Sequence, residues 1–425
     1  MKHLLSLLSR TVQLAAAGFL LLTAPALTLR ADAVFAWNEA LLHFSTSAAG
    51  AMPFPLEARA YAITHLAVLE ALDALPADLA DDDRTARRAA VVTAAHDVLL
   101  ALLPAGTAMF DALAARHLDA LPDGAGKTQG RATGAAAAAR VLQARSADGW
   151  EQAVRGGREP GRSGIDEADL ARGVAPALSP WLDPRPFALK SADQFEVEEL
   201  RRVRMNGEVT VNHRLGASRL FEGLDREAAF AAREAFWAQS PLVAWNRIAR
   251  QACAGRPTDL RDQARVLARL NVALADAALA GAHARHVVGN WRAVVAEVWQ
   301  PVDARLALAT DVVARIDDGT HHEAVRLEYG RVFVPPVAHY PAVGATLAGA
   351  AQAVLGAYFG RDRLAFALPV GAEGRTFPGF SAAAREHAFV TSLDGVHSRE
   401  GCVAGYELGA SIGRYAARRA LIAQR

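Results

Sequence analysis

The sequence predicts an all-α fold made of two packed helical bundles, and three observations support this. Apolar residues recur at helical spacing through most of the 425 residues, and prolines separate successive periodic segments. Alanine-rich stretches such as Ala135 to Ala139 favour helix over strand. With 52% hydrophobic and 21% charged residues, a chain of this length buries a large core without disulfide support.

Charge is almost balanced over the chain, with 46 Lys and Arg residues against 45 Asp and Glu residues. A phosphate backbone is bound mainly through an excess of basic groups, and this chain has none. The balance therefore excludes a broad electrostatic partner, nucleic acid above all.

The amino terminus has the organisation of a secretory signal. Lys2 and Arg10 precede an apolar run from Val12 to Leu29, and small residues follow it up to Ala33. We expect residues 1–33 to be removed and the protein to be exported, periplasmic or secreted. An uncleaved membrane anchor is the alternative. Later apolar stretches such as 264–282 contain charged residues, so no membrane span is expected in the mature chain.

The first helical bundle is expected over residues 34–155. A helix is predicted from Glu57 to Leu75, where Pro76 stops the pattern. The same reasoning predicts the next three helices, at about 85–103, 107–121 and 127–147. The Asp81 to Asp83 run is interpreted as a solvated loop. An irregular connection rich in Gly, Pro, Arg and Asp follows over residues 156–190.

The second bundle is expected over residues 191–425. Its predicted helices lie at about 191–206, 225–239, 241–252, 258–282, 300–316, 342–358, 381–393 and 402–420. Cys253 and Cys402 are the two cysteines of the chain. In an oxidising compartment they pair or remain as two buried thiols, and the sequence leaves both alternatives open.

Two arginines point to an anion site. Arg285 and Arg292 are seven positions apart, about two helical turns, which places them on one face of a helix. Guanidinium groups match the oxygen atoms of phosphate or vanadate. The alternative is an exposed basic face.

Histidine is the other residue type with potential chemistry. His397 follows Gly395 and Val396 and precedes charged residues, a setting that suggests a ligand or nucleophile. His283, His286, His321 and His322 lack the neighbouring ligands of a metal site, and we interpret them as surface histidines.

Several segments together resemble the bacterial vanadium-dependent haloperoxidase relatives of the type 2 phosphatidic acid phosphatase superfamily, from about Ala31 to Ala420. They include residues 33–38, 58–73, 157–162, 191–195, 245–249, 271–276, 290–292 and 412–415. The resemblance implies an all-α fold of two four-helix bundles, and a site for vanadate or phosphoryl transfer in the carboxyl-terminal one. It also makes a homodimer plausible.

The family site consists of three sequence motifs, and this chain matches some motif positions but not others. Where the first has Lys, six residues and Arg, this chain has Arg285 and Arg292. Where the second has Pro-Ser-Gly-His at a helix start, Pro341 is followed by Ala342, Val343 and Gly344. His339, five positions before Gly344, is a candidate substitute imidazole.

The third piece is Ser-Arg, five residues and His. His397 matches the histidine that ligates vanadium or attacks phosphorus, whereas Thr391 stands in place of the Arg. Gly401 replaces an Asp often found four residues after that His in the phosphatases. Loss of a general acid costs about 10²–10⁴-fold in rate, and loss of an oxyanion donor about 2.7–4 kcal/mol.

The sequence therefore predicts a superfamily member with an incomplete catalytic set, weakly active or non-catalytic, with vanadate as a candidate cofactor and a small oxyanion as a candidate ligand. Two alternatives stay open. One is an active haloperoxidase that oxidises halide with peroxide. The other is an acid phosphatase acting on phosphate monoesters.

Overall fold

Helices dominate the computed structural model, which describes residues 33–50, 52, 54–75, 83–151, 184–195, 219–224, 236–237, 239–254, 256, 258–296, 341–368, 375–393, 397 and 399–419. The elements are α1 (Ala33–Ser45), α2 (Phe54–Asp73), α3 (Asp83–Leu102), α4 (Thr107–Asp119), α5 (Ala125–Ala144), α6 (Pro241–Ala254), α7 (Leu260–Ala296), α8 (Val343–Phe359), β1 (Phe366–Leu368), β2 (Arg375–Phe377), α9 (Phe380–Thr391) and α10 (Arg399–Arg419). The all-α fold class is confirmed.

The amino-terminal bundle is built around α2, α3 and α5, with α4 packed on α3. Small residues let α5 approach α3 closely: a Cβ built on Gly130 would lie 2.2 Å from the carbonyl oxygen of Ala86, and one on Gly134 would lie 2.5 Å from that of Ala90. The four helices lie within a few residues of their predicted ranges, and a proline follows each of the first three.

The carboxyl-terminal bundle consists of α7, α8, α9 and α10, with α8 packed between the other three. Helix α7 extends over 37 residues and also packs against α2, which joins the two bundles through one continuous core. The predicted end of this helix at Ala282 is too early, since it continues to Ala296.

Two elements were not predicted. Helix α1 begins at Ala33, the last residue of the expected signal, and buries Val34, Trp37 and Leu41. Strands β1 and β2 form an antiparallel hairpin in which Phe366 pairs with Phe377. In addition, residues 191–195 are turns and bends, so the helix predicted to begin at Ser191 does not begin there.

A buried carboxylate ties the segment before Ser191 to the second bundle. Asp276 on α7 accepts the backbone N–H groups of Phe187, Ala188 and Leu189 at 2.6, 2.7 and 2.9 Å. The carboxylate pairs three backbone N–H groups that no helix or strand of this irregular segment satisfies. The connection therefore ends at a fixed point on α7.

Buried amides link α1, α2, α6 and α7. Asn246 and Asn271 exchange side-chain hydrogen bonds at 2.8 and 2.9 Å. Asn38 donates to the Asn246 oxygen at 2.9 Å and lies 3.0 Å from Nε2 of His65. The residues of this network lie in segments 33–38, 58–73, 245–249 and 271–276, which carry the family resemblance. In the structure these residues connect helices to one another.

Both cysteines, Cys253 and Cys402, are buried in the structure, and no disulfide joins them. Among the residues described, no helix combines the length and apolarity needed to cross a bilayer. Some predictions lie outside the described residues: the signal segment up to residue 32, most of the 156–190 connection, the 300–316 helix, and His321, His322 and His339.

Candidate functional site

The candidate site lies at the amino terminus of α8. Ala342 is the N-cap residue with extended backbone (φ −72°, ψ 117°), and no side chain caps the helix. The first N–H groups of a helix have no intrahelical partner and carry partial positive charge. Because Ala342, Val343 and Gly344 bear no polar side chain, this end of α8 presents backbone donors alone.

Helices α9 and α10 reach this same point. A Cβ built on Gly344 would lie 2.9 Å from Oγ1 of Thr391 on α9. The N–H of Ala342 donates to the carbonyl of Gly401 on α10 at 2.9 Å. Thr391 and Gly401, predicted from separate pieces of the motif, therefore lie beside the helix start at residues 342–344.

The predicted arginine pair lies on α7. Gly281 on this helix faces α8, since a Cβ on it would lie 3.5 Å from Cγ2 of Val343. Arg285 follows Gly281 by one helical turn, and Arg292 lies two turns beyond Arg285 on the same helix. The side chains of both arginines fall outside the described part of the structure.

The predicted histidine, His397, is half-buried between the end of α9 and the start of α10. The interpretation of His283 as a surface residue is wrong, because this side chain on α7 is buried. Within the residues that the structure describes, no group of three or more His, Cys, Asp or Glu side chains is arranged to hold a metal ion.

A histidine outside the predicted set, His387, lies next to Gly344. Its ring stacks on Trp237 with centroids 4.5 Å apart and an interplanar angle of 4°. Its Nδ1 accepts a hydrogen bond from the indole N–H of Trp245 at 3.1 Å. Its Nε2 lies 3.8 Å from the position of a Cβ on Gly344.

His387 precedes Thr391 by four residues, so the two share one face of α9, and the Thr391 hydroxyl donates to the His387 carbonyl at 2.9 Å. Burial lowers the pKa of His387 to about 3, which keeps the ring neutral at ordinary pH.

A carboxylate flanks this ring on the side of the hairpin. Glu386 accepts the indole N–H of Trp237 at 2.8 Å and pairs with the Arg375 guanidinium. The negative charge is therefore neutralised by a cation on β2. Trp237, held by this bond, keeps the His387 ring in a fixed plane.

These donors fit the oxygen atoms of a small oxyanion such as vanadate or phosphate. The helix start supplies uncapped backbone N–H groups, which favour an anion, and His387 adds a ring nitrogen beside them. Position 344 is a glycine and position 391 a threonine, so neither supplies an imidazole or a guanidinium to this point.

Comparison with known proteins agrees with this architecture. Residues 265–423 match the family model of the VCPO second helical-bundle domain. The structure superposes on a bacterial vanadium-dependent iodoperoxidase with a TM-score of 0.58 at 19% identity, covering 91% of this chain and 95% of that chain. No functionally curated protein matches the chain in sequence.

Two crystal structures of bacterial vanadium-dependent chloroperoxidases are also similar. The holo form has a TM-score of 0.52 at 13% identity and covers 94% of this chain and 95% of that chain. For the apo form the values are 0.51 and 13%, with 86% and 93% covered. At these identities the likeness establishes the fold, and the resemblance predicted from the sequence is confirmed at that level.

Proposed function

From its fold, which is that of the vanadium haloperoxidases, and from the VCPO domain family that residues 265–423 match, we propose that this chain is an exported protein that holds a small oxyanion and oxidises halide weakly or not at all. The observation that carries the proposal is the packing at Gly344. The position where the motif has an acid/base histidine has no side chain, and Thr391 Oγ1 would lie 2.9 Å from a Cβ there.

In this proposal the chain keeps residues that bind the oxyanion but lacks residues that the oxidation of halide needs. Backbone N–H groups at the start of α8 would face the anion, Arg285 and Arg292 would neutralise its charge, and His397 would hold the vanadium. Bound vanadate activates peroxide for halide oxidation in haloperoxidases. Here the general acid and one guanidinium are replaced, and loss of the acid alone lowers a rate by about 10²–10⁴-fold.

The test is halide oxidation by the purified chain with vanadate and peroxide, using iodide, bromide and chloride separately. We expect no halide oxidation, or only a trace, above the protein-free control. Vigorous turnover that disappears in His397→Ala would overturn the proposal in favour of an active haloperoxidase. Hydrolysis of a phosphate monoester that also depends on His397 would favour the phosphatase alternative.

Oxyanion binding is measured separately by equilibrium dialysis with vanadate and with phosphate. We expect uptake that falls in Arg285→Ala and Arg292→Ala. Arg131→Ala removes an exposed cation from α5 and is the matched control, with uptake unchanged. Equal uptake by the unchanged chain and the three variants would show that Arg285 and Arg292 do not bind the oxyanion.

Export rests on the amino-terminal sequence. Small residues before Val34 predict processing after Ala33. Mass spectrometry of the secreted chain is expected to show Val34 as the first residue. A chain that retains its apolar segment and sediments with membranes would establish the anchor instead.

A further inference from the structure

Two carboxylates flank one imidazole in the amino-terminal bundle. On α3, Nδ1 of His96 lies 2.9 Å from Oδ1 of Asp97, and its Nε2 lies 2.8 Å from Oδ1 of Asp111 on α4. A carboxylate accepts hydrogen bonds, and a neutral imidazole carries hydrogen on only one of its nitrogens. The two contacts therefore need one hydrogen more than a neutral ring supplies. Since imidazole is a much stronger base than a carboxylate, that hydrogen belongs to the ring, which is then an imidazolium.

The other helices around His96 do not add a charged group in hydrogen-bond contact with it. Trp37 on α1 meets the ring edge-on, with centroids 6.3 Å apart, and carries no charge. From α5, Lys127 and Arg131 line the same cavity as His96, and Nζ of Lys127 lies 2.8 Å from Oδ1 of Asp123. The charged side chains of α1 and α2 pair elsewhere: Glu39 with Arg250, Glu57 with Ser240, Arg59 with Asp148, Glu70 with Arg140 and Asp73 with Arg261.

The contact between His96 and Asp111 attaches a peripheral helix to the bundle. Helix α4 packs on α3, and its buried residues are Phe110 and Ala114. Beside the contact lies a cavity of about 610 Å³, which α3 lines with His96 and Asp97 and α4 lines with Ala114 and Leu118. The attachment therefore helps to hold the α4 wall of this cavity in place.

We propose that His96 is a proton-dependent clamp, which as an imidazolium bonds to Asp97 and Asp111 together and so holds α4 against α3. When the ring loses one hydrogen to solvent, only one carboxylate still receives a hydrogen bond. The other carboxylate then faces a ring nitrogen that is also an acceptor, and the two repel. The clamp therefore holds at low pH and loosens as pH rises. It belongs to the amino-terminal bundle and goes beyond the proposed function, which concerns the carboxyl-terminal one.

A second histidine of α4 responds to pH in the opposite direction. Burial and the neighbouring cations Arg116 and Arg88 lower the pKa of His117. Because its pKa is lower in the folded than in the unfolded chain, His117 destabilises the fold as pH falls. Loosening of α4 with rising pH is thus the signature of His96, and His117 provides a control on the same helix.

Amide hydrogen exchange along α4 tests the clamp between pH 5 and pH 8, after correction for the intrinsic pH dependence of exchange. In the unchanged chain, protection at residues 111–119 is expected to fall about threefold over this range, the scale of a part-exposed ion pair. In Asp111→Asn the amide can donate to Nε2 or accept from it, so the contact no longer needs the extra hydrogen and the fall is expected to disappear. His117→Gln is the matched control and is expected to keep or enlarge the fall, because the opposing titration is removed.

A measurement on the unchanged chain does not depend on any variant. In ¹⁵N spectra of histidine-labelled protein, His96 is expected to carry hydrogen on both nitrogens at pH 5. Loss of one of these hydrogens at higher pH is expected to coincide with the fall in α4 protection. His65 is the internal reference, because burial lowers its pKa to about 4 and its ring stays neutral over the range.

Either of two results would overturn the clamp. One is a fall in α4 protection that is the same in Asp111→Asn as in the unchanged chain. The other is a His96 ring that loses its hydrogen while α4 protection stays constant. Halide oxidation and oxyanion uptake concern the other bundle, so their outcome leaves this test unaffected.

Discussion

Gly409 on α10 packs its Cα directly against the backbone of Thr346 on α8. A Cβ built on Gly409 would lie 1.8 Å from the Thr346 carbonyl oxygen. The same closeness recurs one turn away on each side, at Gly405 against the Ala342 carbonyl and at Gly413 against that of Ala350, with distances of 2.5 and 2.3 Å. The start of α8 is thus positioned by backbone contact with α10.

Substitution of Gly409 by Ala is expected to destabilise the fold. Its methyl group would collide with backbone, which cannot move as a flexible side chain does, and overpacking of this kind costs about 1–3 kcal/mol. The measurement is the free energy of unfolding in urea. Gly356→Ala is the matched control on α8, because its nearest neighbour would be Gln352 Nε2 at 3.9 Å. Equal stability of the two variants would contradict the close contact.

Asp276→Asn is expected to loosen the segment around Phe187. The amide keeps the shape of the carboxylate but can accept at one atom only, where the native side chain accepts three backbone N–H groups. We expect a loss of about 1–3 kcal/mol of stability and faster hydrogen exchange at residues 187–189. Asp123→Asn is the control, since this exposed residue pairs only with Lys127 at the surface. Unchanged exchange at residues 187–189 would show that Asp276 does not anchor them.

Stability is expected to fall with rising pH because of Glu57. Burial raises the pKa of this carboxyl from 4.5 to about 7, against the opposing hydrogen bonds of Ser240 and Ser45. Because the pKa of Glu57 is higher in the folded than in the unfolded chain, this residue contributes to the free energy of unfolding most fully below pH about 4.5. That contribution is lost as pH rises through about 7. The loss amounts to at most about 3 kcal/mol.

Glu57→Gln removes this titration. Urea unfolding between pH 4 and pH 9 is expected to show a flatter profile for the variant, with its advantage over the unchanged chain growing above neutrality. If both proteins lose stability in parallel across this range, another group is responsible.

The two cysteines are expected to resist thiol reagents in the folded protein. Both are buried, and burial raises the pKa of Cys253 to about 11, which leaves very little thiolate near neutral pH. A thiol-specific disulfide reagent should therefore react slowly with native protein and rapidly with two thiols after denaturation. Absence of thiols after denaturation in the secreted protein would establish a disulfide instead.

Much of the fold was predictable because helix periodicity and prolines are local signals. The ranges predicted for α2 to α6 and for α8 to α10 lie close to the observed ones. Helix α1 was not predicted, because its apolar residues directly follow those of the expected signal. The hairpin was not predicted, since strands of three residues carry too little alternation.

For the candidate site, motif spacing identified Gly344 and Thr391, and the structure places them together. Motif spacing did not reveal His387. Its importance depends on Trp237 and Trp245, which approach from other parts of the chain. Contacts over 142 and more residues arise from tertiary packing and leave no local pattern. The buried state of His283 was missed for the same reason.

The hydrogen bonds of Asn38 limit how much of the amino terminus this protein can lose. Asn38 joins α1 to His65 and Asn246, in the polar network between the two bundles. Trimming at the expected site after Ala33 would leave this residue and Trp37 in place, whereas a protease that cut five residues further on would remove both. Removal of Asn38 by any cut within α1 would therefore leave His65 and Asn246 without this hydrogen-bond partner.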